Sequence, residues 1–290
     1  MLTKHLLIDT DIGTDVDDAI ALLQILGSED NSIISVTTVY GNVQLRAQIA
    51  ESYCSLQETP VSIFPGSSET LSGKDIWMSG LEGSLHKDLD TNREFTTSAK
   101  KHLSNLLNAP HEINIFAIAP LTNLARAIDN ESTFDKRIQN VFLMGGRFTE
   151  GKAEHNIFSD ITAAQRVFAS DLKISVVGIE ITSQVKIGLD SLDRIRNCGE
   201  SGLLLVSEII QWANFRGQHW IVPHDSIAYL MYRKPEIFEF SPWGQVSISD
   251  DGKTTFEIDA KGSHRYVTNI DVSAAKEAII AGVEGVKFRS

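Results

Sequence analysis

The stretch "HLLIDTDIGTDVDDAIALLQIL", residues 5–26, places five aspartates (Asp9, Asp11, Asp15, Asp17 and Asp18) within ten residues, between an apolar run and a helical pattern. Carboxylates held close together repel and raise one another's pKa, so such a cluster needs open water, a cation or a shared proton. "LLI" has the pattern of a strand, and in "DDAIALLQIL" the residues Ala19, Ile20, Leu22, Leu23, Ile25 and Leu26 form a broad apolar helical face. The aspartates therefore fall in the turn from the carboxyl end of a first strand to a helix N-terminus, where open α/β sheets bind ligands. Asp17 and Asp18 also suit the positive end of the helix dipole. Capping does not account for Asp9 and Asp11, which leave the strand together. Several oxygen ligands without nitrogen or sulfur favour a hard cation, Ca²⁺ or Mg²⁺. An EF-hand loop does not fit: counted from Asp9, position 5 is Gly13, and position 12 is Ile20 where a glutamate is required.

Beyond this turn, short β-branched runs alternate with helical patterns. The expected strands are 6–10, 33–41, 61–66, 113–120, 141–146 and 174–182. Runs so uniformly apolar suit strands buried on both faces, which predicts a mostly parallel central sheet flanked by helices on both faces, with Rossmann-type topology. "DDAIALLQIL", "LRAQIAESYCSL", "SAKKHLSNLLN", "LTNLARAID", "ITAAQRVFAS" and the closing "SAAKEAIIAGVEG" are the expected helices. A small C-terminal β-hairpin is expected over 244–259, around Asp251-Gly252. Segments 67–95 and 214–224 resist assignment, and long loops in a compact domain are commonly functional.

With 290 residues, 42% of them hydrophobic, the chain suits a single domain spanning 1–290. Its net charge of −12 and the lack of a Lys/Arg-rich run disfavour nucleic acid and anionic membrane as partners. Cys54 and Cys198 are too few and too far apart for a disulfide framework. No apolar run reaches a membrane span and no signal-peptide pattern opens the chain, so a cytoplasmic protein is expected.

"DTDIGTDVDDAIAL" resembles the signature of the inosine-uridine nucleoside hydrolase family, Asp-x-Asp-x-Gly-x-Asp-Asp-Ala, with two extra residues that align Asp17-Asp18 with the paired aspartates. "VYGN" (39–42), "AIAPLTNLA" (117–125), "LMGG" with "AEHNIF" (143–158) and "VPHDSIA" (222–228) agree in order. The resemblance implies a Ca²⁺ held by Asp11, Asp18, the carbonyl of Ile118 and Asp225, with Asp11 as the general base. It implies ribose binding by Asp17, Asn42, Glu154 and Asn156, and protonation of the leaving base by His224. The implied reaction is Ca²⁺-dependent hydrolysis of a ribonucleoside to free base and ribose by a homodimer or homotetramer. N-glycosidic cleavage passes through an oxocarbenium-like state and needs an activated water, a grip on ribose and a way to neutralise the departing base.

Two features depart from the family pattern. "DIWMSGLEG" keeps Gly80-Leu81 of the His-Gly-x-x-Gly-Leu loop but offers Trp77 in place of its histidine, either to stack on the base or to cover the core. "RFTEGKA" before Glu154 lacks an asparagine that many relatives carry there, which leaves the grip on the 5′ group open. Phe158, Trp212 and Trp220 are candidates for the base pocket, although the usual fate of large aromatics favours the core for each, and the loops 72–88 and 214–223 are candidates for closure over it. Two rival readings remain at this level. One is a Mg²⁺-dependent phosphatase of the haloacid-dehalogenase kind, with Asp250-Asp251 as its second acidic pair. The other is a non-catalytic, Ca²⁺-stabilised nucleoside-binding protein.

Overall fold

The computed structural model describes residues 3–28, 32–55, 61–87, 89–90 and 92–286. The first half alternates strand and helix: β1 (Thr3–Thr10), α1 (Asp17–Leu26), β2 (Ile33–Thr38), α2 (Val43–Ser55), β3 (Val61–Pro65), α3 (Ala99–Leu106), β4 (His111–Ala117), α4 (Thr122–Asn130), α5 (Phe134–Arg137) and β5 (Ile138–Met144). There follow α6 (His155–Ser159), α7 (Ile161–Phe168), β6 (Ile174–Val177), α8 (Ile179–Thr182), β7 (Ile187–Gly188), α9 (Asp193–Arg196), α10 (Gly199–Arg216), β8 (Trp220–Ile221) and α11 (His224–Arg233). The chain closes with β9 (Phe238–Phe240), β10 (Gly244–Ile248), β11 (Thr254–Ile258), β12 (His264–Ile270) and α12 (Val272–Glu284).

Ten strands form one mixed sheet in the order β11-β10-β12-β6-β5-β4-β1-β2-β3, with β9 also paired to β12. From β3 across to β12 the pairings are parallel, while β9, β10 and β11 join antiparallel. Strand order reverses between β1 and β4, which creates the switch-point crevice at their carboxyl ends. The expected α/β architecture is therefore observed. Alternation along β1 divides the core: Leu6 and Ile8 pack with α1, α10, α11 and α12, whereas Leu7 packs with α3, α4 and α7 on the opposite face. Burial of both faces explains why the strand sequences are apolar throughout.

Some expectations need correction. Residues 174–182 are not one strand: β6 stops at Val177, the chain turns at Gly178, and "IEIT" forms the single helical turn α8. The C-terminal hairpin is present but not separate, because Gly244 pairs with His264 and extends the main sheet. β12 and the 18-residue α10 were not anticipated, and α10 takes up the start of segment 214–224. The long segment 67–95 contains no helix or strand among its described residues. Both cysteines are free and buried, and no described helix is long and apolar enough to cross a membrane.

At the opposite end of the sheet from the switch point, His5 and His102 share the Ser35 hydroxyl, at 2.7 and 3.0 Å. Burial pulls both imidazoles down to about 4. His264 is also pulled to about 4 by burial, and its Nδ1 accepts from Val246 N–H at 3.1 Å. A histidine depressed in the folded state binds its proton on unfolding. Its stability contribution is complete above the ordinary pKa near 6.5 and fades as pH falls toward 4. Buried carboxylates elsewhere act in the opposite sense, so the effect is read by difference. His264→Asn, which keeps an acceptor for Val246, should lie below wild type in Tm at pH 7, and thermal melts down to pH 5 should show the gap narrowing. A gap independent of pH would remove His264 from the titration.

Candidate active site

The crevice at the switch point opens into a cavity of about 840 Å³. Its lining includes Asp11, Asp15, Asp17 and Asp18 from the β1–α1 turn, Ile118 after β4, Glu154 and Asn156 around α6, and His224 and Asp225 at the start of α11. The turn can crowd these groups because the chain reverses sharply at Gly13, whose φ is +109°. A Cβ there would lie 2.6 Å from the Ile49 side chain, so left-handed backbone and close packing both demand glycine.

Beneath the turn lies a residue that the sequence reasoning missed. Arg46 of α2 is fully buried. Its guanidinium donates to the carbonyls of Asp11 and Ile12, to the Tyr40 carbonyl at 2.7 Å and to the Thr14 hydroxyl at 2.9 Å. Thr10 Oγ1 donates to Asp18 Oδ1 and accepts from Ile12 N–H, fixing one carboxylate against the strand end. Asp9 does not enter the cavity. It is fully buried, accepts from Thr37 at 2.6 Å and Asn123 at 2.8 Å, and is pushed up to about 7 by burial.

Five of the carboxylates that line the cavity are buried and perturbed. Burial is the largest cause in each case, raising Asp11, Asp17, Asp18, Asp225 and Glu154 above the usual carboxylate range. Mutual repulsion adds to it: Asp225 is raised further by Asp18, Asp15, Asp11 and Glu154. Carboxylate oxygens of Asp15, Asp17 and Asp18 lie within 4.8 Å of one another. An all-oxygen donor set under mutual repulsion fits a hard divalent cation. This trio differs from the expected set of Asp11, Asp18, Ile118 and Asp225, but all of these residues line the same cavity.

Glu154 and Asn156 both reach the cavity. Glu154 caps α6, accepting from Asn156 N–H at 2.8 Å, Gly146 N–H at 3.0 Å and Ile157 N–H at 3.2 Å. The Asn156 amide donates to the Met144 carbonyl at 3.2 Å, which ties it to the end of β5. Asn42 is a correction: it is exposed, lies outside the cavity lining and caps α2 by accepting from Leu45 N–H at 3.1 Å. Trp220 is a second, sitting on β8 away from the cavity with Lys186 over its ring.

His224 Nδ1 is 2.6 Å from the Thr182 hydroxyl on α8, which leaves Nε2 as the ring nitrogen available to the cavity. Burial pulls the His224 imidazole down to about 4. Trp77, Phe158 and Trp212 complete the lining. Trp77 does not cover the core: it is 46% exposed and stands edge-on to His155, with ring centroids 6.0 Å apart. Lys74 lies over the Phe158 ring and donates to the Phe158 carbonyl at 2.7 Å.

Comparison with known proteins agrees with this geometry. The chain is 32% identical to uridine nucleosidase 1 of Arabidopsis thaliana, over 98% of this chain and 92% of that protein. It is 27% identical to the pyrimidine-specific ribonucleoside hydrolase RihB of Escherichia coli, over 73% of this chain and 71% of RihB. The solved plant nucleoside hydrolase PpNRh1 superposes with a TM-score of 0.83 at 26% identity, covering 97% of this chain and 98% of that one. The fold is shared equally by a purine-preferring ribonucleoside hydrolase from Gardnerella vaginalis, with a TM-score of 0.83 at 20% identity and coverage of 97% and 98%. The family model for inosine-uridine preferring nucleoside hydrolases matches residues 6–278, and the chain belongs to that family of ribonucleoside-cleaving N-glycosyl hydrolases.

Proposed function

We propose that this chain is a Ca²⁺-dependent ribonucleoside hydrolase in which Asp11 takes the proton from the attacking water and His224 serves the departing base. The carrying observation is the convergence of Asp11, Asp17, Asp18, Asp225, Glu154, Asn156 and His224 on one switch-point cavity. Asp11, Asp18 and Asp225, with the Ile118 carbonyl, would hold the cation, and Asp15 stands near enough to Asp18 to share it. The cation supplies water activation and a hold on the ribose diol. Asp17, Glu154 and Asn156 orient the sugar, and Asn42 is dropped from that set. Water oxygen bonds to C1′, its proton passes to Asp11, and the C1′–N electrons leave with the base. Thr182 keeps His224 Nε2 aimed at that base.

The relatives named for uridine and for pyrimidine ribonucleosides make uridine the first substrate to assay. The phosphatase reading loses support because Asp250-Asp251 lies in the turn of the β10–β11 hairpin, outside the cavity.

In protein stripped with chelator, Ca²⁺ should raise the Tm, since about 100 Kd of ligand adds about 2.7 kcal/mol of stability. Asp225→Asn should lose most of that rise, and a melt indifferent to Ca²⁺ would count against the cation. Reducing-sugar release from uridine and a wider nucleoside panel should be abolished by EDTA. Asp11→Asn should lower kcat about 10³-fold or more, and His224→Ala between about 10²- and 10⁴-fold. Phosphate release from sugar phosphates with Mg²⁺, without ribose release, would favour the phosphatase, and tight nucleoside binding without turnover a binding protein.

A further inference from the structure

Two stretches of the cavity lining stand away from the carboxylates: loop 73–77, with Lys74 and Trp77, and the C-terminal end of α10, with Trp212 and Arg216. On α10, residues 208, 212 and 216 follow one another at four-residue spacing and share a face. Glu208, one turn before Trp212, lies outside the cavity. Its Oε1 is 2.7 Å from His86 Nε2, and its other oxygen accepts from the Tyr53 hydroxyl. The His86 side chain has no solvent exposure, that of Glu208 has 15%, and His86 Nδ1 meets the Ser52 hydroxyl at 2.5 Å. A further link lies beside it, with Gln211 donating to Ser84 Oγ at 3.0 Å.

The loop between His86 and Trp77 is firmly held. Glu82 accepts from Ser79 N–H at 2.7 Å and Gly80 N–H at 2.9 Å, Ser79 Oγ donates to the Thr14 carbonyl at 2.8 Å, and Trp77 N–H donates to the Tyr40 hydroxyl at 2.9 Å. Loop 77–86 is thus fixed by hydrogen bonds along its length, with His86 as its anchor to α10. A buried hydrogen-bonded pair contributes little net stability, because desolvation offsets the attraction, but it selects one geometry over its neighbours.

We infer that His86 and Glu208 are positioning residues: together they latch the loop carrying Trp77 to the helix carrying Trp212 and Arg216, and so set the spacing of the walls that receive the nucleobase. This rests on the hydrolase reading above. Neither residue touches the sugar or the reacting bond. Loss of the latch should loosen the hold on the base and leave the ribose grip and the chemical step in place.

The test compares His86→Ala, Glu208→Ala and Glu208→Gln with wild type in KM and kcat for the best nucleoside substrate. It adds Ki for 1,4-dideoxy-1,4-imino-D-ribitol, a ribose mimic without a base, and hydrogen exchange of residues 208–217 in ligand-free protein. The alanine variants should raise KM about tenfold with kcat and the imino-ribitol Ki unchanged, and should exchange faster at 208–217. Glu208→Gln keeps one acceptor oxygen for His86 and turns an amide N–H toward the Tyr53 hydroxyl, which can accept it, and should hold KM within about threefold of wild type. Unchanged KM in the alanine variants would overturn the inference. So would parallel losses in kcat and imino-ribitol binding, which would mark a general structural role. If wild type cleaves no nucleoside, the hydrolase reading fails by itself; unchanged exchange at 208–217 would then overturn the latch, and faster exchange would uphold it as the tie between loop and helix.

Discussion

Repulsion among carboxylates sealed into one crevice is the constraint on which the rest of the molecule depends. Asp11, Asp17, Asp18, Asp225 and Glu154 are all pushed up by burial, and Asp17, Asp18 and Asp225 are pushed further by neighbouring carboxylates. A chain gains nothing in stability from such an arrangement and must oppose it. It does so by local means: Asp17 and Asp18 open α1, where its dipole favours negative charge, and Glu154 accepts three backbone N–H groups. What remains uncompensated is an appetite for protons or for a divalent cation. Binding of a cation is thus coupled to the stability of the turn that forms its site.

Arg46 shows how that appetite is preserved. A buried guanidinium under a carboxylate cluster would ordinarily be expected to pair with it. Here its hydrogen bonds go to the carbonyls of Asp11, Ile12 and Tyr40 and to the Thr14 hydroxyl. Its charge still lowers Asp11 and Asp18. The arginine thus fixes the backbone path of the turn without occupying the lone pairs that a cation needs. A bidentate Arg–Asp pair at the same place would have neutralised the site permanently.

What could be read from the sequence follows the same division between local and distant causes. β1, α1 and the aspartates between them were legible because strand, turn and helix signals lie within twenty-odd contiguous residues, and the strands betray burial on both faces by being apolar throughout. Arg46, Thr182 and Tyr40 were not legible: each matters because a distant segment folds against it. Asn42 misled for the complementary reason, since an asparagine after Gly41 serves a helix cap as readily as a ligand. β12 was missed because "HRYVTNI" mixes polar and apolar residues with neither the two-residue alternation nor the continuous apolar run that marks a strand, although it runs parallel beside β6. Trp220 and Trp212 carry the same chemical label in the sequence, and only the path of α10 separates the one on β8 from the one in the cavity.

The site accordingly has two layers with different mechanical character. Groups assigned to water, cation and ribose stand at strand ends and helix starts, where backbone hydrogen bonds on several sides allow little displacement. Groups placed to meet the base, Trp77, Phe158 and Trp212, are exposed or half-buried and come from a loop, a short helix and the last turn of α10. Chemistry that must place an attacking oxygen in line tolerates less motion than recognition of a flat ring, which can slide between aromatic faces at small cost. Sequence change can therefore alter the base walls without disturbing the carboxylate set, and the same fold can serve hydrolases that differ in the base they release. On this argument the side chains proposed to select the base are those on 73–86, α6 and α10, together with how firmly the first and last of these segments are held to each other.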